Sequence, residues 1–291
     1  MEARILSVHS AFCEAASGAK AVRCSFRGRL RREKTEVYAG DLVELQEKGK
    51  DLMIERVVQR KNLMLRPAVA NVDQAVVVVT ITQPPLDLTY IDRLLVHLES
   101  QDIEAVVCVN KADIEDRERL ARVQAIYEHA GYPSVVTSAV TGEGLTSLVQ
   151  AMQGKAVVLA GASGVGKSKL ISALLTMDLQ TATLSRISRG RHTTKGVTLY
   201  RVGESGYLVD TPGFSKLDVI ECEPEDLSYY YREMTDLVPF CHYPRCLHKT
   251  EELCEVRKGL SDGRIGEERY RTYLSLLGEC QTQTKERRKY E

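Results

Sequence analysis

The chain has no net charge: its 40 Lys and Arg residues balance 40 Asp and Glu. Overall charge therefore selects no partner. Long apolar runs are missing as well. None is long enough to span a bilayer, which excludes a helical membrane protein. Behind Met1-Glu2-Ala3-Arg4 there is no apolar core of the kind a secretory leader needs. Internal repeats and low-complexity tracts are also absent, so repeat architectures are not expected. The eight cysteines do not form an evenly spaced framework, and three of them fall between Cys241 and Cys254. Such clustering suits metal rather than disulfides, in a reducing compartment. A cytoplasmic protein is expected.

What is present divides into three stretches. The 291 residues have room for one to three domains. In Ala21 to Gly28, Val22, Cys24 and Phe26 share one face, while Arg23, Ser25 and Arg27 share the other, the alternation of a half-buried strand. Gly40-Asp41 marks a turn before Leu42-Val43-Glu44-Leu45, and Leu52 to Val58 reads as another strand. A five-stranded barrel of OB-fold type fits residues 1–65. From Asn71 onward strands and helices alternate. The buried-type runs Ala75–Val79, Ala105–Val109, Ser134–Thr137 and Ala156–Leu159 are separated by helical spacings such as Ile91, Leu94, Leu95 and Leu98. Val197–Val202 and Tyr207–Val209 complete six strands of an α/β doubly wound sheet over residues 66–222. Residues 223–291 are rich in Tyr, Cys, His and charge, and Tyr270, Tyr273, Leu274 and Leu277 mark a closing helix. Two basic runs, Lys20–Lys34 and Lys285–Lys289, are candidates for contact with RNA or another anionic surface.

Three motifs carry chemistry, each at the carboxyl end of an expected strand, where ligands of such sheets bind. Gly161-Ala162-Ser163-Gly164-Val165-Gly166-Lys167-Ser168 is a complete P-loop. Its backbone N–H groups and Lys167 would hold phosphates, Ser168 would hold Mg²⁺, and the N–H groups through Lys169 open a helix. Asn110-Lys111-Ala112-Asp113 has the character of a guanine reader. A carboxylate at Asp113 accepts from both the ring N–H and the amino group of guanine, a pair that adenine lacks. Ser138-Ala139, after the next strand, can offer a backbone N–H to the guanine oxygen. Asp210-Thr211-Pro212-Gly213 supplies Asp210 for Mg²⁺ through water and the Gly213 N–H for the γ-phosphate. Thr193 and Thr194 lie where a switch threonine belongs, with Thr194 favoured as the Mg²⁺ ligand. The next position, Phe214, cannot orient an attacking water as a Gln would. His192 is the nearest candidate for that work, beside Lys167 and Gly213 as catalytic groups. The guanine reader precedes the P-loop, the reverse of the ordinary order, so the GTPase is expected to be circularly permuted.

Cys241, Cys246, His248 and Cys254 form C-x₄-C-x-H-x₅-C. Three thiolates and an imidazole suit one tetrahedral Zn²⁺ per chain in a closed structural site, with His242 adjacent as a competitor for His248. The remaining cysteines, Cys13, Cys24, Cys108, Cys222 and Cys280, read as small apolar residues.

Together these features resemble the ribosome small-subunit-dependent GTPase A (RsgA) family. The likeness also takes in Arg27-Gly28-Arg29-Leu30-Arg31, Ala39-Gly40-Asp41, Arg66 to Gln74 and Gly190-Arg191-His192-Thr193-Thr194. The resemblance implies an N-terminal OB-fold, a central permuted GTPase domain binding GTP or GDP, and a C-terminal helical zinc domain. It further implies binding to the 30S subunit and its ribosomal RNA, a role in late subunit maturation, and hydrolysis stimulated by the subunit. A monomer that does not engage membranes is expected. An ATP-dependent kinase or ATPase on the same P-loop, an RNA-binding module with a structural nucleotide site, and a GTPase serving another RNA are the competing readings.

Overall fold

The computed structural model describes residues 1–18, 20–26, 36–49, 51–65, 68–181, 197–202, 205–210 and 220–290. Strands β1 (Glu2–Val8), β2 (Cys13–Ser17), β3 (Lys20–Phe26), β4 (Leu42–Lys48) and β5 (Asp51–Val57) come first. The short hairpin β6 (Leu63–Leu65) and β7 (Ala68–Ala70) follows. Next come β8 (Gln74–Val79), α1 (Leu88–Glu99), β9 (Glu104–Val109), α2 (Arg117–His129), β10 (Ser134–Val136) and α3 (Leu145–Ala151). The chain then runs through β11 (Ala156–Ala160), α4 (Lys167–Thr181), β12 (Thr198–Val202) and β13 (Gly206–Asp210). It finishes with α5 (Arg232–Thr235), α6 (Glu255–Ser261) and α7 (Glu267–Tyr290). No described helix is long and apolar enough to cross a membrane.

These elements fall into two compact units. One holds β1–β7, α3, β11, α4, β12 and β13. Its strands β1, β2, β3, β5 and β4 pair in that order, and β4 returns to β1, closing an OB-like barrel. Ile5, Cys13, Ala15, Cys24, Val43, Leu45 and Ile54 fill it, the inward halves of alternating strands. Cys13 faces Cys24 across the β2–β3 ladder, and burial pushes the two thiols up to about 12 and about 11. They serve as small apolar residues, as expected.

The Ala39-Gly40-Asp41 turn and Asn71 have structural roles in this unit. Gly40 lies at φ +90°, and a Cβ there would stand 2.0 Å from the Ala70 carbonyl oxygen, so no other residue fits. Asn71 donates from Nδ2 to the Gly40 carbonyl and accepts the Lys61 N–H at Oδ1. Fully buried Asp41 pairs with Arg60 at 2.7 Å and accepts the Tyr38 N–H. In the same unit β11 lies parallel to β13, but β12 runs antiparallel to β13. Three residues separate β12 from β13, too few for the crossover that parallel neighbours require.

The second unit holds β10, β9 and β8 as neighbours, with α1, α2 and the three C-terminal helices. Every residue of β8 is buried, the pattern expected of a strand covered on both faces. Helix α7 packs against α1 and the 3₁₀ segment Pro224–Tyr230 over a core of Val96, Leu227, Tyr231, Met234, Tyr273, Leu276 and Leu277. Within this core Arg269 is 2% exposed. Its guanidinium meets Asp92 at 2.5 Å and Glu233 at 2.7 Å, and the ring faces of Tyr231, Tyr132 and Tyr127 surround it. Thr272 donates its hydroxyl to the same Asp92.

Candidate functional site

The P-loop begins where buried β11 ends and runs into α4. Gly161 sits at φ +142°, where a Cβ would approach the Val78 carbonyl oxygen to 2.3 Å. At Gly166, φ is +99° and a Cβ would meet the Asn110 side-chain nitrogen at 2.6 Å. These two glycines thus admit close neighbours on either side of the loop. Lys167 arches back over it, donating from Nζ to the carbonyls of Gly161 and Ala162 at 2.7 and 2.8 Å. Burial lowers its pKa. Ser168 and Lys169 are exposed in the first turn of α4, where helix N–H groups favour anions.

The expected guanine-reading residues come together with the P-loop. Asn110 is 1% exposed and donates from Nδ2 to the Val165 carbonyl at 2.9 Å, tying the two loops. Lys111, at φ +66°, reaches across with Nζ to the carbonyls of Gly164 and Gln83. Asp113 is held by the Ser138 hydroxyl, which donates to Oδ1 at 2.6 Å. That hydroxyl also accepts the N–H groups of Val140 and Thr141. The Ser138 N–H is already engaged, donating to the Glu143 carbonyl at 3.0 Å.

Sequence reasoning missed the supports of this site. Thr137 donates to the Asn110 side-chain oxygen at 3.1 Å, and its carbonyl accepts the Ala112 N–H. Arg117 and Glu143 form a two-bond ion pair between the start of α2 and the second loop. The doublet Gly142 and Gly144 in Thr141-Gly142-Glu143-Gly144 was the available signal, since both adopt positive φ.

Several expected site residues lie outside the described residues: His192, Thr193, Thr194, Thr211, Pro212, Gly213 and Phe214. So do Arg27–Arg31 and Arg66-Pro67 among the family-like motifs. Asp210 closes β13.

Cys241, Cys246, His248 and Cys254 converge, with all four ligand atoms within 4.8 Å of one another. Cys241 and Cys254 sulfurs are 3.9 Å apart, and His248 Nδ1 lies 3.5 and 3.3 Å from them. A tetrahedral ion with sulfur ligands needs edges of about 3.7 Å, so the set fits a metal. His248 Nε2 faces the Ser228 hydroxyl at 3.1 Å, so a proton on Nε2 leaves the Nδ1 lone pair for the ion. Burial lowers the His248 pKa, which favours that neutral form. Tyr270 and Tyr273 pin the same loop by donating to the carbonyls of His248 and Leu247. Ser228 and these tyrosines were not legible from spacing. His242 is exposed and turns its ring to Tyr243, outside the cluster. Cys222 and Cys280 form a separate thiol contact at 3.7 Å.

With this geometry in hand, likeness to known proteins is informative. A family model described as RsgA GTPase matches residues 57–220. A small ribosomal subunit biogenesis GTPase RsgA from Caldanaerobacter subterraneus is 38% identical, over 100% of this chain and 98% of its own. Another of that name, from Alkaliphilus metalliredigens, is 41% identical over 88% of this chain and 89% of its own. Among solved structures, YjeQ from Thermotoga maritima superposes with a TM-score of 0.82 at 36% identity, covering 96% of this chain and 98% of that one. YloQ, described as a circularly permuted GTPase, also gives 0.82, at 31% identity over 97% and 95% of the two chains.

Proposed function

The chain belongs to the RsgA GTPase family, and from that premise we propose that it hydrolyses GTP on the small ribosomal subunit, assists late maturation of that subunit, and is stimulated by it. Membership makes it a GTPase. The relatives named as small-subunit biogenesis GTPases support the ribosomal part. The observation that carries the guanine part is the Asp113 carboxylate, fixed by Ser138 beside a P-loop that Asn110 and Lys111 grip. A base lacking guanine's paired donors would leave that acceptor unsatisfied, at a cost of about 1–3 kcal/mol.

In this reading the P-loop N–H groups and Lys167 hold the phosphates, with Lys167 exchanging its two carbonyl partners for phosphate oxygens. Bound Mg²⁺ would neutralise charge on the phosphates; Ser168 and Thr194 are its proposed ligands, with Asp210 acting through water. Gly213 offers its N–H to the γ-phosphate. Phe214 cannot align water, so His192, able to donate or accept near neutral pH, takes that role. Cys241, Cys246, His248 and Cys254 hold one structural Zn²⁺. Residues 1–65 and the basic runs meet ribosomal RNA, 66–222 bind nucleotide, and 223–291 form the zinc domain of a cytoplasmic monomer.

Turnover of GTP with and without purified small subunits tests the proposal. Strong stimulation is expected, and His192→Ala should remove most of it at equal subunit occupancy. Equal rates with and without subunits would overturn the ribosomal reading. Asp113→Asn should weaken GTP and favour xanthosine triphosphate; equal loss of both would remove Asp113 from the base site.

A further inference from the structure

Two loops read the base, and they are fastened to each other at three depths. Deepest, Thr137 donates to Asn110, and the Ala112 N–H donates to the Thr137 carbonyl at 3.0 Å. In the middle, Ser138 donates to Asp113 at 2.6 Å. Outermost, Arg117 donates to both carboxylate oxygens of Glu143, at 2.5 and 3.0 Å. The first two levels belong to base recognition itself. The third uses none of the side chains of Asn110, Asp113 or Ser138, and it is the one whose strength solvent and salt control.

Both ends of this outer bond are anchored to the reading elements. Arg117 is the first residue of α2, and Asp116 immediately before it caps that helix by accepting the N–H groups of Glu118 and Arg119. Only three residues separate Arg117 from Asp113. Glu143 is held through its own backbone, since its carbonyl accepts the Ser138 N–H. Glycines at φ +86° and +71° flank it, and at Gly144 a Cβ would stand 1.9 Å from the Val136 carbonyl oxygen. Glu143 therefore has a fixed post on the second loop. Its charge also lies near that of Asp113. The Arg117 guanidinium thus offsets a second negative charge beside the base reader, besides closing the gap between loops.

We propose that the Arg117–Glu143 ion pair is a latch on the base site: it holds the two reading loops together and sets how fast guanine nucleotide leaves. Arg117 and Glu143 are positioning residues in this scheme. They act through Asp113 and Ser138 and do not touch the nucleotide. The side chains are 69% and 37% exposed, so the latch is open to screening by salt. The proposal rests on guanine lying at Asp113.

The test times release of GDP carrying a fluorescent ribose label, chased with excess plain GDP at low and high salt. At low salt Arg117→Ala and Glu143→Gln are each expected to release nucleotide about two- to fivefold faster than wild type, the range exposed ion pairs support. High salt should speed wild type more than either variant. The exchanged pair, Arg117→Glu with Glu143→Arg, should recover slow release, which mere damage to the loops would not allow. Single variants that release at the wild-type rate overturn the latch, as does an exchanged pair no slower than the single variants. A parallel measurement on Asp113→Asn with xanthosine diphosphate separates the two readings. If that variant fails to gain xanthine preference, the guanine placement falls and takes the latch with it; if it gains the preference while release rates stay unchanged, only the latch falls.

Discussion

In the barrel, the side chains that form the core are apolar, and along β2 and the first half of β4 they alternate with more exposed neighbours. Asp41 is its one fully buried carboxylate among the described residues, and its partner Arg60 keeps 25% exposure. The C-terminal lobe is built differently. Its interior holds Ser228, His248, Arg269 and Thr272 beside Cys246 and Cys254, all under 6% exposed. A barrel can be ordered by removing methyl groups from water, a non-directional force. The lobe depends on directional partners, each of which leaves a costly orphan when its mate is removed. The lobe should therefore fail at single points where the barrel yields gradually.

The largest break in that comparison is removal of the metal site. Cys246→Ser should lose bound zinc and unfold the lobe around α5 and α6, because structural zinc supplies about 10–16 kcal/mol in small domains. Metal analysis and amide exchange check this: the barrel should keep its protection, and a lobe that keeps its own without metal would refute the idea. Acid should act in the same direction. Burial pushes the Cys246 thiol up to about 12, so binding an ion must release protons, and chelator competition should show weaker zinc binding as pH falls.

Next comes Arg269. Arg269→Ala strands Asp92 and Glu233 in the core and should cost the lobe about 3–5 kcal/mol. Arg269→Met, which fills the space, should cost no less while both carboxylates stay charged. Recovery by Arg269→Met combined with Asp92→Asn and Glu233→Gln would identify stranded charge as the cause. Denaturant unfolding followed by tyrosine fluorescence reads each variant. In the barrel, Asp41→Ala leaves the Tyr38 N–H without its acceptor but lets Arg60 turn to water, and about 1–3 kcal/mol is expected. A loss equal to that of Arg269→Ala would erase the distinction between the two regions. Smallest is Glu279→Gln, which breaks a partly exposed pair with Arg93 at 2.6 Å; less than about 1 kcal/mol should be lost.

What could be read from the sequence follows the same division. The P-loop, the Asn110–Asp113 motif and the Cys and His residues that cluster at 241–254 sit at short, fixed spacings, so local pattern was enough to single them out as candidates. The barrel was legible because Val22, Cys24 and Phe26 alternate with polar neighbours. The antiparallel run of β12 was not, because strand pattern carries no direction; only the short link to β13 does. Arg269 was hidden for a different reason. It lies one helical turn before Tyr273, on the stripe continued by Leu276 and Cys280, and its burial depends on carboxylates on α1 and α5. Ser228 escaped likewise, twenty residues before the histidine it orients.

The tie between Thr272 and Asp92 spans 180 residues. A ribosome adding residues from the N-terminus delivers Asp92 on α1 long before Arg269 and Thr272 emerge on α7, at about 5–20 residues per second. Through that interval α1 carries a carboxylate meant for a dry interior with nothing to neutralise it, so it gains by staying in water. Burying that face of α1 before the helix bearing both partners has been made would strand the carboxylate, a cost that weighs against early collapse there.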